Sequence, residues 1–253
     1  MKYASLTDVG LRREKNQDSY CCIKNKYDDF LAIVCDGIGG GKAGDVASGE
    51  TVKYYINEFK KSGPFNSLDD AKKFINNSIN KINDELFKLS NKYAEFKGMG
   101  TTLTGVLFTS FGTLCINIGD SRVYGFNNKK IYHLTKDHTL VNKMLDKGQI
   151  SFSEAINHPK KHYLVKALGV TNKVEADINK IKDFDYLLIC SDGLYNLVDE
   201  NDLIHIVTTK RYVIEKKCSE LIKLALVKGG YDNITVIVID NNGWFNCGKI
   251  SNC

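Results

Sequence analysis

The chain has 253 residues, 43% hydrophobic and 26% charged, with only 2 prolines. This is the composition of a globular protein long enough to bury a large core. No apolar run approaches the ~20 residues of a membrane span, and the opening MKYASLTDVG lacks a signal-peptide hydrophobic region, so a cytoplasmic protein without membrane contact is expected. The formal charge of +5 comes from scattered lysines, which argues against dedicated nucleic-acid binding but suits phosphorylated, acidic partners.

In chain order, Lys2–Thr7 reads as a short extended segment, and Asp18 opens a second strand ending near Ile23. Phe30–Cys35 is apolar without alternation, the pattern of a strand covered on both faces. It stops on Asp36, followed by glycines at 37, 39, 40, 41 and 44, where a missing Cβ lets backbone approach closely. Ala43, Ala47, Thr51, Tyr55 and Phe59 then recur at helical spacing until Ser62-Gly63-Pro64. Ser67 is placed to cap a long amphipathic helix with the stripe Leu68, Ala71, Ile75, Ile79, Ile82, Leu86, Leu89.

From residue 101 to 134 the period shortens into four strands, TLTGVLFTS, TLCINIG, SRVYGFN and KIYHL. Their connections are so short that antiparallel hairpins are expected throughout. Residues 137–170 are polar, with short helical pieces, like an insertion that covers something. Strands KVEADINKI and YLLICSDG follow, then helices near 199–207 and 213–228, a last buried strand Ile234–Ile239, and a tail over 242–253. Strands cluster with strands rather than alternating with helices. One α+β domain over 1–241 is expected, with antiparallel sheet packed under helices.

Five aspartates stand beside small or polar neighbours at strand ends: Asp18, Asp36, Asp120, Asp192 and Asp232. If they converge they must hold protons or bind cations, because two carboxylates ~4 Å apart repel by about 4 kcal/mol at an effective dielectric near 20. An all-oxygen donor set suits Mg²⁺, Mn²⁺ or Ca²⁺. Zinc is not expected: the 8 cysteines form no CxxC pair, several lie within apolar runs, and His158 and His162 flank a proline. A phosphate held there needs a positive group, for which Arg13, next to Arg12, is the candidate. Gly39, Gly41 and Gly44 fit G-x-G-x-x-G, but no βαβ unit closes and no strand-end acid follows at the right spacing. Gly41-Lys42-Ala43 also lacks the Ser or Thr of a P-loop.

TDVGLRREKNQD, VCDGIGGGKAGDVAS, GMGTTL, NIGDSRVY, LTKDHTLV, HPKKHYLVKALG, CSDGLYNLV and GGYDNITVIVI occur in this order. Together they resemble the metal-dependent serine/threonine protein phosphatases of the 2C type (the PPM family), especially the small bacterial members, over residues 1 to 241. The resemblance implies a four-layer α-β-β-α sandwich of two antiparallel sheets flanked by helix pairs. It also implies two Mn²⁺ or Mg²⁺ ions at one edge. By position, Asp36 would bridge both ions, the Gly37 carbonyl would bind the second, and Asp192 and Asp232 the first. Asp120 with Asp192 would match a looser third position, and Asp18 would act through water. Arg13 falls on the phosphate-binding arginine, residues 137–170 on the flap beside the cleft, and Thr102 and Asn233 on supporting positions.

The implied reaction is hydrolysis of phosphoserine or phosphothreonine by a hydroxide bridging the ions, without a phosphoenzyme; no cysteine here has an arginine six residues on. The implied partners are phosphorylated proteins and a cognate serine/threonine kinase, and the chain is expected to be monomeric. Ile38 stands where animal relatives often have a histidine proposed as general acid. In the flap, His162 replaces a usual asparagine, and Lys161 and Lys166 replace common arginines, which bears on substrate preference. A phosphatase-like module that binds without turnover, and a phosphatase of small metabolites, are the competing readings.

Overall fold

The computed structural model describes residues 1–39 and 43–241; Gly40, Gly41, Cys247, Cys253 and the whole tail 242–253 lie outside the described residues. Two antiparallel sheets form the centre. The first contains β2 (Asp18–Lys24), β3 (Phe30–Ile38), β5 (Leu103–Thr109), β6 (Gly112–Ile118) and β9 (Asp177–Ile181) in that order, with β4 (Gly100–Thr101) paired to the end of β3. The second runs β1 (Lys2–Asp8), β11 (Ile234–Asp240), β10 (Tyr186–Cys190), β7 (Arg122–Asn127) and β8 (Lys130–His133).

The unbroken apolar runs are explained by burial on both faces. Leu31, Ile33 and Cys35 of β3 face outward to Tyr55 and Phe59 of α1 (Gly44–Lys61) and Ile75 and Ile79 of α2 (Leu68–Lys92). The alternate residues Phe30, Ala32 and Val34 face inward to Ile189, Ile237 and Ile239 of the other sheet. That sheet turns Leu188, Val236 and Val238 outward, to α6 (Glu200–Thr208) and α7 (Ile214–Val227). The result is the expected four-layer α-β-β-α sandwich. Each fully buried Ile, Leu or Phe contributes ~1.5–3 kcal/mol before entropy is charged against it. Ser67 caps α2 by accepting from the Asp70 N–H at 3.1 Å, as its sequence position predicts.

Two expectations need correction. The β6–β7 connection is not a hairpin: β6 pairs with β5 and β9 in the first sheet, whereas β7 pairs with β8 and β10 in the second. Gly119 makes the crossing with φ +104, and a Cβ there would stand 2.4 Å from Thr102 Cγ2. Ser121 ties the two sheets by a 2.9 Å hydroxyl contact to Thr102. The strand expected over 173–181 forms only from Asp177, where pairing to β6 begins. Among the described residues, no helix is long and apolar enough to cross a membrane.

Candidate functional site

The topology brings the ends of β1, β3, β6 and β10 and the starts of β2, β7 and β11 to one edge of the sandwich. Asp18 lies directly across the strand pair from Asp36. Asp120 sits on the crossover, and Asp192 opens the short helix α5 (Asp192–Tyr195) after β10. Asp232 lies just before β11. All five aspartates predicted to converge do so.

Their electrostatics show the cost. Asp36 is pushed well above the usual carboxylate range, first by loss of hydration and then by the charges of Asp18, Asp192, Asp120 and Asp232. Asp192 is raised to about 8 by burial and then by Asp120 and Asp232. Asp120 rises to about 7 through burial and then Asp137. Asp18 rises to about 6 through burial, against a hydrogen bond from Ser191. Asp36 and Asp192 keep part of their surface open to solvent, whereas Asp18 and Asp120 are buried.

Hydrogen bonds fix the scaffold around these groups. The Asp36 N–H donates to Thr102 Oγ1 at 2.9 Å, and the Asp36 carbonyl accepts from Thr102 N at 2.9 Å and Thr101 Oγ1 at 3.0 Å. Ser191 Oγ donates to Asp18 Oδ2 at 2.7 Å and accepts from Thr235 N at 2.9 Å. Asn233 is a central clamp: its Nδ2 donates to the Val9 and Lys15 carbonyls, and its Oδ1 accepts from Gln17 N. The loop carrying Arg13 is thereby held between β1 and β2. Arg13 Nη2 donates to Asp232 Oδ2 at 2.8 Å, so the phosphate-binding candidate and a ligand candidate are paired with each other.

The glycine stretch is built for close approach. A Cβ on Gly37 would stand 2.1 Å from the Gly44 carbonyl oxygen, and one on Gly44 would stand 2.7 Å from Gly37. Both must be glycine for the end of β3 to meet the first turn of α1.

The segment 137–170 is anchored to the same edge. It holds α3 (Leu140–Asp146) and α4 (Phe152–Ile156), and its two ends meet at Thr139 and Leu164. His138 Nδ1 accepts from Gly119 N at 3.1 Å, so its Nε2 carries the proton donated to Asp177 Oδ2 at 3.1 Å. That contact links the flap to the residue before Asp120. At the other end, Leu168 exchanges backbone hydrogen bonds with Thr101. His162 lies near enough to Asp232 to feel its charge. Lys166 instead pairs with Asp177 at 3.6 Å. Ile38 lines a cavity with Val165, Ala167 and Val170 and the charged Lys166, Lys173 and Glu175.

Sequence reasoning did not single out Ser191, Gln17, His138, Arg122 or Tyr195. Ser191 and Gln17 adjoin flagged aspartates in CSDG and NQD, the one signal available for them. Tyr195 donates to the Asp120 carbonyl at 2.9 Å, and the Arg122 guanidinium stacks 3.6 Å from its ring centre.

The donor set fits a hard cation. It is all oxygen, its carboxylates are raised first by burial and then by one another's charge, and the buried Asp18 Oδ1 has no hydrogen-bond partner. Among the described residues, no three His, Cys, Asp or Glu side chains close into a ready ligand cluster; the aspartates are neighbours around an edge rather than a finished cage. The described cysteines are free, and burial first of all raises every one, Cys21, Cys22, Cys115 and Cys218 to about 12, which leaves no thiolate for nucleophilic work.

Comparison with known proteins gives a consistent result. The family described as "Protein phosphatase 2C" matches residues 12–224. The serine/threonine phosphatase stp of Listeria monocytogenes is 37% identical over 238 residues, covering 93% of this chain and 94% of that protein. The crystal structure of serine/threonine phosphatase Stp1 from Staphylococcus aureus superposes with a TM-score of 0.87 at 34% identity, covering 94% of this chain and 93% of that one. The S. agalactiae serine/threonine phosphatase superposes with a TM-score of 0.87 at 33% identity, covering 94% and 98%.

Proposed function

The chain belongs to the protein phosphatase 2C family of metal-dependent serine/threonine phosphatases, and on that premise we propose how its own residues divide the work. Residues 1–241 are the catalytic domain, with 137–170 as the flap. Asp36, Asp192 and Asp232, with the Gly37 carbonyl, would hold two Mn²⁺ or Mg²⁺ ions, and Asp120 with Asp192 would serve a third position. The observation that supports this reading is the convergence of Asp18, Asp36, Asp120, Asp192 and Asp232 on one edge, where burial first and neighbouring carboxylates second raise Asp36, Asp192 and Asp120.

Bound ions of this kind supply water activation and electrostatic stabilisation of phosphoryl oxygens. The protein's part is to place the substrate. Arg13, half exposed at the rim, exchanges Asp232 for the substrate phosphate. Thr102 fixes the backbone of Asp36, Ser191 holds Asp18 behind it, and Asn233 holds the Arg13 loop. With every described cysteine held as a thiol, water attacks the phosphorus directly, without a phosphoenzyme. The serine or threonine oxygen leaves as the alcohol, taking up the proton that the attacking water gives up. Substrates are phosphorylated proteins; a serine/threonine kinase as opposing partner, a monomeric state and a cytoplasmic location complete the proposal.

The test is hydrolysis of a phosphothreonine peptide and of p-nitrophenyl phosphate with Mn²⁺ or Mg²⁺. Turnover that stops with EDTA and is abolished by Asp192→Asn is expected. Absence of turnover with any divalent ion would favour a phosphoprotein-binding module instead.

A further inference from the structure

The flap helices carry apolar side chains that the fold leaves facing outward. Phe152 is 75% exposed and Ile156 is 53% exposed. With Val141, Leu145 and Ala155 they line a cavity of about 240 Å³. The opposite wall contains Asp120 and Asn196, and Asn196 Nδ2 donates to Asp192 Oδ2 at 3.1 Å. The cavity therefore shares a wall with the aspartate edge, and a substrate presenting phosphate there runs its neighbouring residues past the opening.

Size and charge narrow the occupant. The volume is below the ~300–1,000 Å³ of small-molecule clefts, which suits one side chain rather than a whole ligand. Asp137, also in the wall, is neutralised by Arg122. Five apolar side chains, Val141, Leu145, Phe152, Ala155 and Ile156, supply the apolar part of its flap-side lining. Such a lining suits an apolar side chain. We propose that this cavity is a substrate subsite for one large apolar residue, carried within three positions of the phosphorylated serine or threonine. The inference rests on the phosphatase reading above and adds a sequence preference to it.

The experiment scans leucine through positions −3 to +3 of a phosphothreonine peptide otherwise built of serine and glycine. At one position, leucine should raise kcat/KM by on the order of tenfold over serine, the discrimination typical of a hydrophobic pocket. The gain should appear mainly in KM, since the pocket binds ground and transition states alike. Phe152→Ser and Ile156→Ser change exposed side chains, so the fold is not at risk, and each should bring the leucine-to-serine ratio towards one. That ratio compares two peptides on the same protein, so any change in the chemical step cancels. A flat profile, a preference for an acidic or basic residue, or a leucine preference that survives both substitutions would overturn the subsite. Failure to hydrolyse every peptide and p-nitrophenyl phosphate as well would overturn the phosphatase reading and the subsite with it.

Discussion

Asp137 and Asp36 stand at the same end of the sandwich and are balanced in opposite ways. Arg122 donates to both oxygens of Asp137, from Nε at 3.0 and 3.2 Å and from Nη2 at 2.7 Å, while its remaining faces meet Tyr124 and Tyr195. Asp36 is surrounded by four other aspartates and, among the described residues, forms no ion pair; the nearby cation, Arg13, is engaged by Asp232. Around Asp137 the chain supplies the countercharge from its own sequence. At the aspartate edge it leaves the charge to be matched from outside.

The largest effects should come from removing one charge at each place. Asp36→Asn should lower kcat/KM by more than the ~10–100-fold typical of residues that merely support a ligand. In EDTA, however, its stability should be unchanged or higher, because one of several crowded like charges is gone. Asp137→Asn should do the opposite. It strands the Arg122 guanidinium, whose side chain is 26% exposed, and should cost towards the lower end of the ~3–5 kcal/mol seen when a buried pair loses one partner. Urea unfolding in EDTA, with steady-state kinetics on the folded proteins, checks both. Equal destabilisation by the two substitutions would dissolve the contrast.

The aspartate half of this contrast was legible in the sequence and the arginine half was not. Asp36, Asp120 and Asp192 each follow an apolar strand and sit beside glycine or serine, a local pattern. The Ser191–Asp18 and Asn233–Gln17 contacts join residues 173 and 216 positions apart, and no local spacing announces them. The hairpin expected at Gly119-Asp120 failed for a similar reason: a short connection looks the same whether it stays in a sheet or changes sheets. Only the packing of Gly119 on Thr102 decides it. The helices were read more securely, since the stripe of α2 and its Ser67 cap are contained within one segment.

A second test uses pH. Asp192 at about 8, Asp120 at about 7 and Asp18 at about 6 all lie above the ~3.9 of an unfolded aspartate, with burial the first cause in each. Between about pH 4 and their folded values these three carboxyls therefore hold more protons in the folded, metal-free protein than in the unfolded chain. His133, lowered to about 4 by burial, works the other way only below about pH 6.5. The associated stability is complete below pH 4 and is lost as pH rises through 6 to 8. In EDTA, Tm should fall from pH 6 to pH 8 by ~2–4 °C for each kcal/mol lost. Mn²⁺ or Mg²⁺ at 100 times its Kd should restore ~2.7 kcal/mol, with tighter binding at pH 8 because protons no longer compete for the carboxylates. A metal-free Tm that rises over this interval would mean that the aspartates are not crowded as described.

The smallest expected effect concerns Arg13, which pairs with Asp232 at the aspartate edge. Its pair with Asp232 has side chains 51% and 35% exposed, and pairs this open are worth only ~0–1 kcal/mol. The guanidinium can therefore leave Asp232 for a phosphate dianion at little cost and regain a stronger charge-assisted contact. Arg13→Ala should raise KM for a phosphothreonine peptide on the order of tenfold, with a much smaller change in kcat, since the contact is made to ground-state phosphate as well. Arg13→Lys should recover part of the loss, because lysine keeps the charge but not the planar fork. Asp232, released in the alanine variant, should need no more metal for half-maximal activity than before. A fall confined to kcat, or a marked rise in the metal requirement, would make Arg13 a support for Asp232 rather than the group that receives the phosphate.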